Sequence, residues 1–521
     1  MKLDRREFVK GGLASLGFLA LDGLPVYAAS PDWKPKRKPN LAFGVVSDTH
    51  MRTHYDGMNF YEHYGTVMGD AALKAVFRYF KDEEVDAVVN CGDLTDRGII
   101  RTMELYKAAW DGVFKGTRTV HLYATGNHDV EESFGDWAKG IARSEDPAVY
   151  GKLRLGPNLK AAMERIWGEP YEDVWHKTVK GYHFFGMGWG LDPDDQTPVY
   201  HGRLYKDSEM EGKGCSRFIH NGLWMAELVR REREAGRIDP QKPFFTIYHC
   251  NIDRYDRRGA NIHNHLRSAL GLAPDEYCNG FGFFGHGHRS NADWHFFWDR
   301  NAPFPAIECS SLAYWKDRGG EGDKPVFAQG FGDGTAEGGG HDMTHALLVK
   351  VYDDMMTIRR VWVEVKPKVR LATLGPDLAV PLAGFAPSCH PLQPDRLRGS
   401  DAKPEFPKGA KLEVARSDGA LRLKIPRADG NPLARVYGYN VVIAGEGGAK
   451  VKKSVYENGY SYGDGCEPDS GVTTLEIPAS ELPAGKNLTL AVRPCSCLAS
   501  RGHPIVATYS TISNTLKTRN A

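Results

Sequence analysis

Between Leu41 and about Val363, short apolar runs alternate with polar, glycine-bearing segments. Leu41-Ala42-Phe43-Gly44-Val45-Val46 and Ala87-Val88-Val89 are the plainest runs, and short unbroken stretches of this kind predict strands buried on both faces. Between them, Ala71-Ala72-Leu73-Lys74-Ala75-Val76-Phe77 places its apolar residues at helical spacing and keeps a polar face. Leu223 to Glu234 does the same and is closed by Gly236, which predicts a second helix. This alternation predicts an α/β core over residues 40–365.

The pattern then changes. Residues 366–409 are rich in proline and read as a linker packed over the surface. Beyond them the period shortens to two, in Lys411-Leu412-Glu413-Val414, Leu421-Arg422-Leu423-Lys424-Ile425, Thr474-Leu475-Glu476-Ile477 and Leu488-Thr489-Leu490-Ala491-Val492. Short strands bounded by turn residues predict an all-β sandwich over residues 410–515, which resembles a fibronectin type III-like module. Gly319 to Gly340 lacks the Lys and Ser/Thr of a phosphate-binding loop and reads as a mobile loop.

The chain is 521 residues long, room for about two or three domains. Its 67 Lys and Arg against 66 Asp and Glu leave a net charge of +1, so no nucleic-acid partner is expected from bulk charge. Residues 1–28 read as an address: Arg5-Arg6, then a weak apolar run from Gly11 to Leu21, then the small residues of Val26-Tyr27-Ala28. The order resembles a bacterial twin-arginine (Tat) export signal, which implies a periplasmic or secreted protein. No other stretch is apolar enough to cross a bilayer, so no stable membrane anchor is expected. The nine cysteines show no zinc-finger spacing; Cys466 paired with Cys495 or Cys497, and free buried thiols, both fit the pattern.

Five motifs each follow an apolar run: Asp48-Thr49-His50, Gly92-Asp93-Leu94-Thr95-Asp96-Arg97-Gly98, Gly126-Asn127-His128-Asp129, His249, and Gly285-His286-Gly287-His288. Each alone is weak, but together they put Asp, Asn and His at the C-terminal ends of five strands, where α/β proteins build their sites. Imidazole mixed with oxygen donors suits Mn, Fe or Zn better than Ca or Mg.

The series resembles the calcineurin-like metallophosphoesterase family, whose pattern is D-x-H, G-D-x-x-D, G-N-H-D/E, H, G-H-x-H. That resemblance implies two β-sheets packed face to face and flanked by helices. It implies two transition-metal ions (Mn, Fe or Zn), one held by Asp48, His50 and His288, the other by Asn127, His249 and His286, with Asp93 bridging. A metal-bridging hydroxide would attack the phosphate ester, because paired cations lower the pKa of water and grip both oxygens of the displacement. His128 would protonate the leaving group or stabilise the transition state, with Asp129 orienting its ring. Arg97 is a substrate-gripping candidate, as an Arg follows this motif in the protein-phosphatase branch; a solvated loop Arg is the other reading.

The Tyr ligand of purple acid phosphatases has no counterpart, since Asp96 follows Asp93 at that spacing and the first motif carries His50. The D-x-H and G-H-x-H pair is similar to the branch containing phosphodiesterases. Trp189, Tyr255, Tyr314 and Trp315 are candidates to stack a nucleobase, and His345 or His341 to line the site. The expected activity is hydrolysis of a small phosphomonoester or phosphodiester. The alternative is a non-catalytic cell-envelope binding protein on the same scaffold.

Overall fold

All six residues of Leu41–Val46 are buried, as an apolar run needs when both its faces are covered. The computed structural model describes residues 35–51, 68–96, 98–130, 158–190, 216–256, 260–274, 276–288, 302–312, 343–364, 369–375, 377–382, 403–417, 419–430, 436–458, 472–496 and 501–519, with Leu155, Asn291, Gly463, Asp464 and Cys466. Residues 1–34, Arg97, His341, Cys497 and the loop from Gly319 to Gly340 lie outside them.

Strands β1 (Leu41–Val46), β2 (Ala87–Asn90) and β3 (Val120–Tyr123) run parallel, Phe43 opposite Ala87 and Ala87 opposite Val120. A second sheet takes β4 (Val174–Val179), β5 (Tyr182–Met187), β6 (Phe244–Ile247), β7 (Gly280–Phe284) and β8 (Ala306–Glu308) in that order, parallel from β5 onward. The chain then returns to the first sheet as β9 (Met343–Val351), antiparallel to β1, and continues through β10 (Met355–Glu364), β11 (Arg370–Thr373) and β12 (Leu378–Pro381). β11 and β12 both pair with β10, so the segment expected to be a linker begins as two strands of the sheet. Among its prolines Pro381 closes β12, an edge position where the missing N–H costs nothing.

The inner faces of the two sheets share one apolar core. Phe43 is its hub, with ring centroids 5.3, 4.8 and 5.7 Å from those of Phe184, Phe245 and Phe283. Helix α1 (Met68–Asp82) contacts the first sheet's outer face through β9 and β10 and packs beside α2 (Ile100–Phe114). Helix α3 (Leu159–Trp167) lies on α2, while α4 (Ser216–Glu234) and α5 (Ile262–Leu270) pack together, α4 over β4 and β5. This is the two-sheet α/β architecture expected above, with helices outside.

From residue 413 the described regular structure is antiparallel strand apart from one helical turn at Ala479–Glu481. β13 (Glu413–Ser417) and β14 (Ala420–Pro426) join β17 (Val472–Pro478) in one sheet. β15 (Val436–Gly445), β16 (Lys450–Tyr456), β18 (Asn487–Ser496), β19 (Ile505–Ser510) and β20 (Thr515–Arg519) form the other, in the order β16-β15-β18-β19-β20. Leu421, Leu423 and Ile425 meet Tyr439, Val441 and Ile443 in the core between them. Asp464 ties this unit to β11: its amide donates to Thr373 O at 2.7 Å and its carboxylate accepts from Thr373 Oγ1 at 2.7 Å. Cys466 and Cys495 are free thiols, and Asn440 Nδ2 donates to Cys495 Sγ at 3.0 Å.

Candidate metal centre

The strands β1, β2, β3, β6 and β7 all end at one edge, and the five motifs follow them directly. The backbone turns hard there. Asp48, His50, Asp93, His286 and His288 have φ between 41° and 67°. For residues other than glycine this left-handed conformation costs on the order of 1 kcal/mol each, a strain that persists where it aims side chains. At Gly285 the constraint is space: a Cβ would stand 1.9 Å from Ser47 Oγ and 2.2 Å from Asp48 Oδ2. The first and fifth motifs touch there.

One cluster gathers Asp48, His50, Asp93 and His288, all buried. His288 Nε2 lies 2.9 Å from Asp48 Oδ1 and 3.1 Å from His50 Nε2. Across Asp93 sits a second group: Asp93 Oδ2 is 3.1 Å from His249 Nε2, and Asn127 Oδ1 is 3.1 Å from His249 Nε2 and 3.0 Å from His286 Nδ1. Each of the seven expected ligands therefore points a nitrogen or oxygen at this one buried point, with Asp93 between the groups. Lone pairs crowded this closely, in a mixed imidazole and oxygen set, fit two borderline cations.

The groups behind these donors hold them in place. His249 Nδ1 donates to the Cys91 carbonyl at 3.0 Å, which leaves Nε2 facing the centre. His50 Nδ1 stands 3.2 Å from Asp96 Oδ1, leaving its Nε2 to face inward. Asp93 Oδ1 accepts the His128 amide at 2.8 Å, so Oδ2 is the oxygen turned to the histidines. Asp48 Oδ2 accepts from Ser47 Oγ at 2.6 Å and from the His286 amide at 3.0 Å.

Electrostatics follow the same geometry. Burial opposes charge at His50, but hydrogen bonds to Asp48 and Asp96 outweigh it and raise the pKa to about 9. At His249 burial is again outweighed, here by Asp93 and Asp48, and the pKa rises to about 9. His286 goes the other way, down to about 3, through burial and the charge of His249. Burial opposes the carboxylates of Asp48 and Asp93, yet the histidines hold both below the ordinary range.

His128 differs from the seven expected ligands. Its Nδ1 donates to the backbone carbonyl of Asp96 at 2.7 Å, its ring meets His50 edge-on at 4.5 Å, and its side chain keeps 19% exposure. Burial lowers its pKa. Asp129 does not orient it. The Asp129 carboxylate accepts from the amides of Leu94 (3.2 Å), Thr95 (2.8 Å) and Gly126 (2.8 Å) and from Thr95 Oγ1 (2.8 Å). It is a buried knot joining two motif loops, and burial together with the charge of Asp93 raises its pKa to about 6.

Other expectations also change. Trp189 is buried, its ring 5.9 Å from that of His286 at a 27° angle, and is not an open platform for a base. His345 is buried within β9 and its Nδ1 accepts the Asn291 amide at 3.1 Å, a packing role. Tyr314, Trp315 and the side chain of Tyr255 lie outside the described residues. Sequence reasoning passed over Asp96, Ser47 and Ser311, whose Oγ donates to the Asp48 carbonyl at 2.9 Å. Only Asp96 carried a signal, as the closing acid of its motif.

Residues 41–290 match the family described as calcineurin-like phosphoesterase. No curated protein sequence matches the chain. Among solved structures it is similar to a dimetal phosphatase from Danio rerio, at 12% identity and TM-score 0.33, over 64% of this chain and 99% of that one. It is also similar to purple acid phosphatase PPD1 from yellow lupin (Lupinus luteus), at 14% identity and TM-score 0.35, over 67% and 57%. A single mutant of Vps29 from Entamoeba histolytica aligns at 8% identity and TM-score 0.23, over 64% and 98%.

Proposed function

We propose that this protein is a binuclear-metal phosphoric ester hydrolase acting on a small phosphomonoester or phosphodiester. The observation that carries it is the convergence of seven ligand-type side chains around Asp93, with the carbonyl-held His128 beside them. Asp48, His50 and His288 would hold one cation; Asn127, His249 and His286 would hold the other; Asp93 would serve both. When bound, two such cations polarise a phosphoryl group and lower the pKa of water.

The chain's own residues do the rest. Asp96 and the Cys91 carbonyl keep His50 and His249 in the tautomers that present Nε2 to the centre. His128, with Nδ1 committed to a carbonyl, would pass a proton to the leaving-group oxygen through its Nε2. The negative charge of an incoming phosphate favours the protonated ring that this role requires. Overall charge neutrality supports a small ester, since attraction for phosphate is concentrated at one site.

The test is an assay of purified, Mn-supplemented protein on p-nitrophenyl phosphate and bis-p-nitrophenyl phosphate. Hydrolysis of at least one, abolished by chelation, is expected; no hydrolysis of these or of a wider ester panel contradicts the proposal. Export is proposed on the Arg5-Arg6 pair and the segment ending at Ala28. N-terminal sequencing of native protein should read from Ala29, whereas cytoplasmic protein retaining Arg5 contradicts it.

A further inference from the structure

The outer face of the five-stranded C-terminal sheet separates charge in a way the whole-chain balance conceals. Strand alternation turns Tyr439, Val441, Ile443, Leu488, Leu490 and Val492 inward, so the residues between them face out. In one cross-strand row stand Lys450, Ala444, Thr489, Thr508 and Lys517; in the next stand Lys452, Val442, Ala491, Val506 and the register position of Arg519. Arg493, opposite Asn440, begins a third.

Lys450, Lys452, Arg493 and Lys517 are all exposed and make no ion pair among the described residues. No Asp or Glu occupies an outward position of these strands. Glu446, in the turn after β15, is engaged by Asn487 Nδ2 at 2.8 Å and the Lys486 amide at 3.3 Å. Long basic side chains therefore stand at both edges of the sheet, with Arg493 on the central strand between them.

The two edges are about 19 Å apart, four strand spacings of about 4.8 Å. A single linear polyanion along the strands meets one file of these cations at a time, and the one aromatic ring that the register puts on this face, Tyr456, is buried and offers no open platform for a base or a sugar. A planar anionic surface meets all the cations together. At the tip of the β19–β20 turn, moreover, Ile512 is 70% exposed, the most exposed of the large apolar side chains described. We propose that this face docks the protein reversibly on an anionic lipid surface, with Ile512 entering the interface. This is peripheral adsorption, and no helix of the described residues is long and apolar enough to cross a membrane.

The test uses the full chain with vesicles of phosphatidylcholine alone or with about one third phosphatidylglycerol. Each surface cation contributes roughly a fivefold factor to partitioning. Binding to anionic vesicles at low salt should therefore fall at least about tenfold in Lys450→Gln/Lys452→Gln/Arg493→Gln/Lys517→Gln. Lys115→Gln/Arg118→Gln, on the other domain, should bind as the wild type does. High salt should release the protein. An unchanged thermal midpoint and ester turnover in the fourfold variant exclude misfolding as the cause. Equal binding to neutral vesicles, retention by the fourfold variant, or capture by duplex DNA in place of vesicles each overturns the proposal.

Discussion

The Nδ1 of His128 lies 2.7 Å from the backbone carbonyl of Asp96. The carboxylate of the same Asp96 stands 3.2 Å from Nδ1 of His50. One residue thus sets two histidines: its carboxylate lies closer to His50 and makes it more basic, while its carbonyl accepts from His128, whose Nδ1 is 3.8 Å from the same carboxylate.

Asp96→Asn removes the carboxylate and leaves the carbonyl. Metal affinity at the His50 site should fall about 10–100-fold. The dependence of rate on leaving group should stay as in the wild type once metal is saturating. Metal titration followed by assays at saturation checks both.

His128→Gln should leave metal content unchanged and lower kcat by about 10²–10⁴ on an alkyl phosphate ester. The loss should be smaller on p-nitrophenyl esters, whose leaving group needs less protonation. An equal loss on both substrates would remove His128 from proton transfer.

Gly285→Ala places a methyl group against Ser47 Oγ and Asp48 Oδ2. Asp48 must yield, so bound metal should drop toward one ion per chain while circular dichroism stays native. Full occupancy in the variant would show that Asp48 is dispensable.

In metal-free protein His50 and His249 hold their protons up to about pH 9. Their folded pKa lies above the unfolded value of about 6.5, so their stabilisation is complete below that pH and is lost as pH rises through about 9. Metal-loaded protein carries no proton on those nitrogens and escapes this loss. The rise in thermal midpoint on adding metal should therefore be larger at pH 9 than at pH 6, as melts with and without chelator will show.

The strand-end motifs were legible because each is local: an apolar run, a sharp turn and one aimed side chain. Their assembly was legible because α/β topology brings parallel strand ends to one edge. Asp129 was misassigned because adjacency to His128 says nothing about which loop its carboxylate faces, and that loop is Leu94-Thr95. The Asp96 carbonyl left no trace, since any residue type supplies a carbonyl. Likewise β11 and β12 were hidden by prolines, because sequence does not reveal that Arg370–Thr373 and Leu378–Pro381 share β10 as partner.

Metal stoichiometry in wild-type protein and Asp93→Asn, measured by elemental analysis beside ester turnover, is the most direct test. Two transition-metal ions per wild-type chain are expected, with fewer in the variant and turnover reduced by at least about a thousandfold, as loss of a shared ligand to both ions requires. Wild-type protein that turns over ester without metal, or an Asp93→Asn variant with unchanged metal and turnover, would contradict the binuclear centre.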